Sequence, residues 1–140
     1  AVNTLRWSDE APHLLLSASN DPTMLLHDVR KTSAPVHRLE GHAAGSSRAR
    51  SIIQPAFCAG GSAVVTVGEG SPYLSMYCAR TGEMLSQGEL GEHRLTQYGS
   101  CLHVVQAPSR AAAVEALVLA NDKRVPTYIP FAPRLGPAFR

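Results

Sequence analysis

The chain has 140 residues, enough for one domain of ordinary size. Thirteen Lys and Arg against eleven Asp and Glu leave a formal charge of +2, which argues against a dedicated nucleic-acid or membrane-surface binder. Its three cysteines, Cys58, Cys78 and Cys101, are odd in number and widely spaced, which fits reduced thiols in the nucleus or cytoplasm better than a disulfide framework.

Taken in chain order, the sequence reads as short strands separated by turn formers. Residues 2–8 make a first strand candidate. A second apolar run begins at Leu14, passes through Ser17 and Ser19 into a turn at Asn20, Asp21 and Pro22, and re-emerges as Met24-Leu-Leu-His-Asp28. Residues 36–39 supply a fourth strand. The order then repeats: residues 51–58, then a run from Ala63, turn residues at Gly68 and Gly70, a run ending at Tyr77-Cys78, and residues 83–86. A third round takes residues 101–107, an Ala-rich loop at 109–116 with room for a helical turn, a run from Ala116, the turn at Asn121-Asp122, and a run ending near Tyr128-Ile129. Here no fourth strand is expected, because Pro126, Pro130, Pro133 and Pro137 break up the tail. The markers His27, Tyr77 and Tyr128 lie 50 and 51 residues apart. A fixed period of this size is the mark of a stacked repeat, each unit burying its apolar face against the next.

Other readings are weaker. The longest apolar stretch, residues 111–120, carries Glu115 and is too short to span a bilayer. No basic-then-apolar start resembles a secretory signal, and Ala1 in place of Met suggests an authentic start upstream. No Cys-x-x-Cys pair exists and the six His do not cluster, so no metal or other cofactor is expected. Gly60-Gly61 and Gly68-Glu-Gly70 lack phosphate-loop spacing and read as turn glycines. Ser17, Ser19, His27 and Asp28 form no nucleophile elbow, and Asp9-Glu10 reads as a solvated surface pair, so no enzyme is expected. Trp7, the only Trp, reads as packing core on a first strand.

The ordered motifs resemble those of WD-repeat proteins. Gly41-His42 and Gly91-Glu92-His93 resemble the family's Gly-His. Ser17 and Asp21 stand where it has a strand hydroxyl and a turn carboxylate. His27-Asp28, Tyr77-Cys78 and Tyr128 take the place of its Trp-Asp, and Asn121-Asp122 that of its third turn. No true Trp-Asp occurs, which weakens the hydrogen-bonded tetrad that staples the family's strands. The resemblance covers residues 1–130. It implies an all-β fold, part of a WD-repeat β-propeller: three four-stranded blades at about 1–42, 43–93 and 94–130, the last lacking its outer strand, then a Pro-rich tail at 131–140. Ser17, Asp21, His27, His42, Tyr77, His93, Asp122 and Tyr128 become tetrad-like structural residues. Since a propeller needs roughly four to eight blades, the resemblance implies upstream blades or a second polypeptide. The third unit reads as a natural C-terminal blade.

Function enters as an expectation: a non-catalytic protein-interaction scaffold in nucleus or cytoplasm. The run from Leu15 to Arg30 resembles the docking box of WD-repeat substrate receptors of cullin-4 ubiquitin ligases, which ends in Trp-Asp-x-Arg; here the ending is His27-Asp28-Val29-Arg30. An Arg fork suits bidentate recognition of a partner's carboxylates or carbonyls, so Asp28 and Arg30 are candidate partner-binding residues. Arg48 and Arg50 join them as a short basic loop that could meet an acidic protein surface or nucleic acid. The degenerate third unit and the Pro-rich tail favour an alternative: a structural subunit of a large ribonucleoprotein, chromatin or ciliary assembly.

Overall fold

A computed structural model describes residues 2–19, 23–31, 33–41, 54–67, 73–89, 99–106, 115–121 and 126–131. All regular structure among them is β. The strands are β1 (Val2–Trp7), β2 (Leu14–Ser19), β3 (Met24–Asp28), β4 (His37–Leu39), β5 (Gln54–Cys58), β6 (Ala63–Val67), β7 (Tyr73–Cys78), β8 (Met84–Glu89), β9 (Gly99–Gln106), β10 (Glu115–Asn121) and β11 (Pro126–Phe131). They form two four-stranded sheets, β1-β2-β3-β4 and β5-β6-β7-β8, and one three-stranded sheet, β11-β10-β9. Each sheet is an antiparallel meander in which consecutive strands pair. The first strands line up, β5 lying against β1 on one side and β9 on the other.

Register sets what each sheet buries. A strand sends alternate side chains to opposite faces. In the first sheet the pairs Leu16↔Leu26, Ala18↔Met24 and Met24↔Leu39 put Leu16, Ala18, Met24, Leu26 and Leu39 on one face. All five are buried. In the second sheet Phe57↔Val64 and Val64↔Tyr77 align a complementary set. The two sets meet in one core that also holds Ala79 and the half-buried Leu14. Each fully buried Leu or Met is worth roughly 2 kcal/mol. The second sheet's opposite face carries Cys58, Ala63, Val65, Met76 and Cys78, all buried, on the side from which β9 approaches. Cys58 and Cys78 are free thiols.

Three sequence expectations are corrected. Trp7 is not core: it is 52% exposed, with Leu5 at 58% and Val2 at 62%. Leu5↔Ser17 and Trp7↔Leu15 put Leu5 and Trp7 on the first sheet's other face, which nothing among the described residues covers. The fourth strand of the second sheet runs to Glu89, past 83–86, because Gln87, Gly88 and Glu89 pair through their backbones with Ser75, Leu74 and Tyr73 and need no apolar pattern. Glu115, given to the Ala-rich loop, starts β10; residues 109–114 lie outside the described set.

Turns interlock the first two sheets at one end. Ala59, Gly60 and Gly61 all take positive φ, at 50°, 63° and 79°. A Cβ on Gly61 would lie 2.7 Å from Ser8 Oγ, the atom that accepts the Ala11 amide. Gly82, at φ +75°, sits under the His37 ring, where a Cβ would come within 2.8 Å. Only residues without a side chain fit these contacts.

Candidate functional site

The described chemistry gathers at this interlocked end. Asp28, the last residue of β3, is buried, its side chain 8% exposed against 65% for that of Arg30. Asp28 Oδ1 accepts the Arg30 amide at 3.0 Å and Nε at 2.9 Å, and Oδ2 accepts a terminal guanidinium nitrogen at 2.7 Å. The amide bond closes a local turn of the kind aspartate favours. The two side-chain bonds make a bidentate pair that aims the guanidinium. Arg30 thereby holds the Asp28 carboxyl well below the usual carboxylate range, against an opposing effect of burial, and the Arg30 guanidinium is shifted up by the same bond.

A lowered carboxylate pKa stabilises the fold above the unfolded value of 3.8, and that stability is lost as pH falls further, through the folded pKa. The parent is therefore expected to unfold at a higher temperature than an Asp28→Asn variant at neutral pH, with the gap closing on acidification below that value. A gap constant with pH would sink the assignment.

One strand pair away, a 3.0 Å hydrogen bond links Ser17 Oγ and His27 Nε2. In the second sheet Tyr77 takes the ladder place of His27, and its hydroxyl donates across to the Glu40 carbonyl at 2.7 Å. Thr66 holds the place of Ser17; its buried hydroxyl has no hydrogen-bond partner among the described residues. His37 Nε2 meets the Arg80 carbonyl at 2.9 Å, a second link between the sheets.

Sequence reading missed Arg80. Val29 N donates to His13 O and Ala79 N to Ser62 O, so Arg30 and Arg80 each follow the same ladder position. Their spacing of 50 residues was the available signal. Cys78 stands where the first sheet has Asp28. Burial raises its thiol pKa but is outweighed by hydrogen bonds involving Thr81 and Arg80, for a net lowering. Arg80 is exposed and makes no ion pair among the described residues, whereas Arg30 is paired with Asp28.

Asp21, His42, Arg48, Arg50, His93 and Asp122 lie outside the described residues. Tyr128 is on β11, one step out of phase with His27 and Tyr77: their backbones bond inward to the second strand, as Val29 and Ala79 also do, whereas that of Tyr128 faces outward. Proline dictates this. The β10–β11 ladder is continuous over six pairs, and Pro126 and Pro130 have no N–H to give it, so the bonding pairs are those of Thr127, Ile129 and Phe131.

Among the described residues no three His, Cys, Asp or Glu side chains converge as metal ligands, and no helix is long and apolar enough to cross a membrane.

No family model and no curated protein matches the sequence. Among solved structures, a chain of "Crystal Structure of Mitotic Checkpoint Complex" is similar in fold, with a TM-score of 0.63 at 17% identity over 93% of this chain. This chain spans 37% of the length of that one. The likeness establishes an all-β fold of antiparallel sheets shared with part of a larger chain.

Proposed function

We propose that this chain is an arc of a WD-repeat-type propeller that works as a protein-interaction scaffold, with blades at 1–42, 43–93 and 94–130 and a tail at 131–140. One observation carries the reading. The exposed face of the first sheet (Trp7, Leu15, His27) repeats, pair for pair, the face of the second sheet (Phe57, Val64, Tyr77) that packs on its neighbour. The same ladder places serve the same end, so the open face is built to receive another sheet of this kind, from further blades or a second polypeptide. The Ser17–His27 bond supports it too, since imidazole to strand hydroxyl substitutes for the family's Trp to Ser. The likeness to a chain from a multiprotein complex agrees with a scaffold.

The finer reading is a substrate receptor that docks on the adaptor of a cullin-4 ubiquitin ligase through Arg30. Asp28 fixes the Arg30 fork, and the guanidinium N–H groups that Asp28 does not use remain for a partner. Affinity capture of the native protein is expected to bring down the adaptor, and Arg30→Ala to lose it while Lys31→Ala keeps it. Equal recovery with Arg30→Ala ends the ligase reading; capture of no partner at all ends the scaffold reading with it.

The apolar surface of Val2, Leu5 and Trp7 equally favours a structural subunit of a large assembly, with a neighbouring polypeptide on that face. Native extract would then show the protein only at the size of that assembly.

A further inference from the structure

The geometry points to a third sheet whose outer edge is closed to strand addition, so that whatever continues the arc beyond it packs on the sheet's face. The inference rests on the backbone ladder alone and holds whether or not the arc belongs to a propeller.

In an antiparallel sheet a residue bonds either one neighbouring strand or the other, alternating along the chain. In the first two sheets the third strand uses its outward positions to hold a fourth. Leu26 O accepts the Val36 amide at 2.7 Å, and Cys78 N donates to Glu83 O at 2.9 Å. Neither β3 nor β7 contains a proline. On β11 the outward positions are Pro126, Tyr128 and Pro130, since the inward ladder is carried by Thr127, Ile129 and Phe131. That edge therefore offers carbonyls at all three positions and an N–H at one.

A strand laid against it would bring acceptors for the missing donors and leave them buried without partners. Strand addition draws its affinity from main-chain bonds; this edge can make four of the six and leaves two carbonyls of the incoming strand without donors. Prolines at alternate outward positions are a known guard for sheet edges. The third sheet has three strands among the described residues, and the chemistry of its own edge works against a fourth lent by a distant part of the chain or by a partner. A sheet face remains usable, because face packing asks for apolar side chains and not for backbone donors.

Amide hydrogen exchange on the full native protein tests this directly. Tyr128 N–H is expected to exchange at least about tenfold faster than the Thr127 and Ile129 amides, which the ladder protects. Comparable rates for the three, fast or slow, overturn the inference. The double variant P126T/P130T restores the donors. It is expected either to slow Tyr128 exchange or to raise the mass measured by light scattering, as the freed edge takes a strand from within or from a second copy. A folded double variant unchanged in both readouts overturns the inference, and should it fail to fold, the exchange pattern of the parent decides alone.

Discussion

Replacing Tyr77 with Ala is expected to cost about 3–5 kcal/mol of unfolding free energy, the range for deleting a buried aromatic. Tyr77 is 1% exposed, sits in the core between the first two sheets, and ties the second to the chain leaving β4 through its bond to Glu40 O. Tyr77→Phe keeps the ring and loses the hydroxyl with its bonds to Glu40 O and the Ser75 side chain. Its cost is expected near 1 kcal/mol, since Glu40 is at the surface and water can reach its carbonyl. Denaturant unfolding of both variants separates the two contributions. Burial also pushes the Tyr77 phenol up to about 12 from 10.0. A raised phenol pKa stabilises the fold fully below 10 and loses that contribution as pH climbs through 12, so Tyr77→Phe should flatten the alkaline limb of the stability profile. A Tyr77→Ala cost as small as that of Tyr77→Phe would mean the ring is not packed as described.

Gly61→Ala is expected to destabilise by about 2–4 kcal/mol, combining roughly 1–2 for a side chain in the left-handed region with the overpacking of a full site. The new methyl would meet Ser8 Oγ at 2.7 Å and Ala11 Cβ at 3.1 Å, and the Ser8 hydroxyl cannot retreat without releasing the Ala11 amide. Gly60 is the internal control. Its φ of +63° is as unfavourable to a side chain, yet a Cβ there meets nothing within 4 Å, so Gly60→Ala should cost only the backbone share. Equal losses at the two positions would show that the turns of the two sheets do not interlock. Because Arg30 and Arg80 sit at this same end, a loosened interlock should also blur the spacing between them.

The candidate site was legible in parts. His27 and Asp28 were visible because the repeat places them, and in the ladder Tyr77 shares the place of His27. Arg80 follows the same period, but Cys78 fills the place of Asp28 and gives no charge signal beside it. The pairing of Arg30 with Asp28 was hidden by the x of Asp-x-Arg, since only the turn at Val29 folds the guanidinium back on the carboxylate. Tyr128 was placed by its distance from Tyr77, which counts residues but not the phase that prolines impose on a strand.

Sequence alone determined that the chain is all-β and built of short strands joined by turns, because apolar patterning and turn chemistry are local and survive without any knowledge of neighbours. Only the tertiary structure decided which face of each sheet is buried. Trp7 and Leu15 are as apolar as Phe57 and Val64 and occupy the same ladder places, yet Val64 is fully buried in the core while Trp7 is 52% exposed. A strand's pattern states that a face wants burial; what lies across from it is a long-range fact that no local pattern encodes.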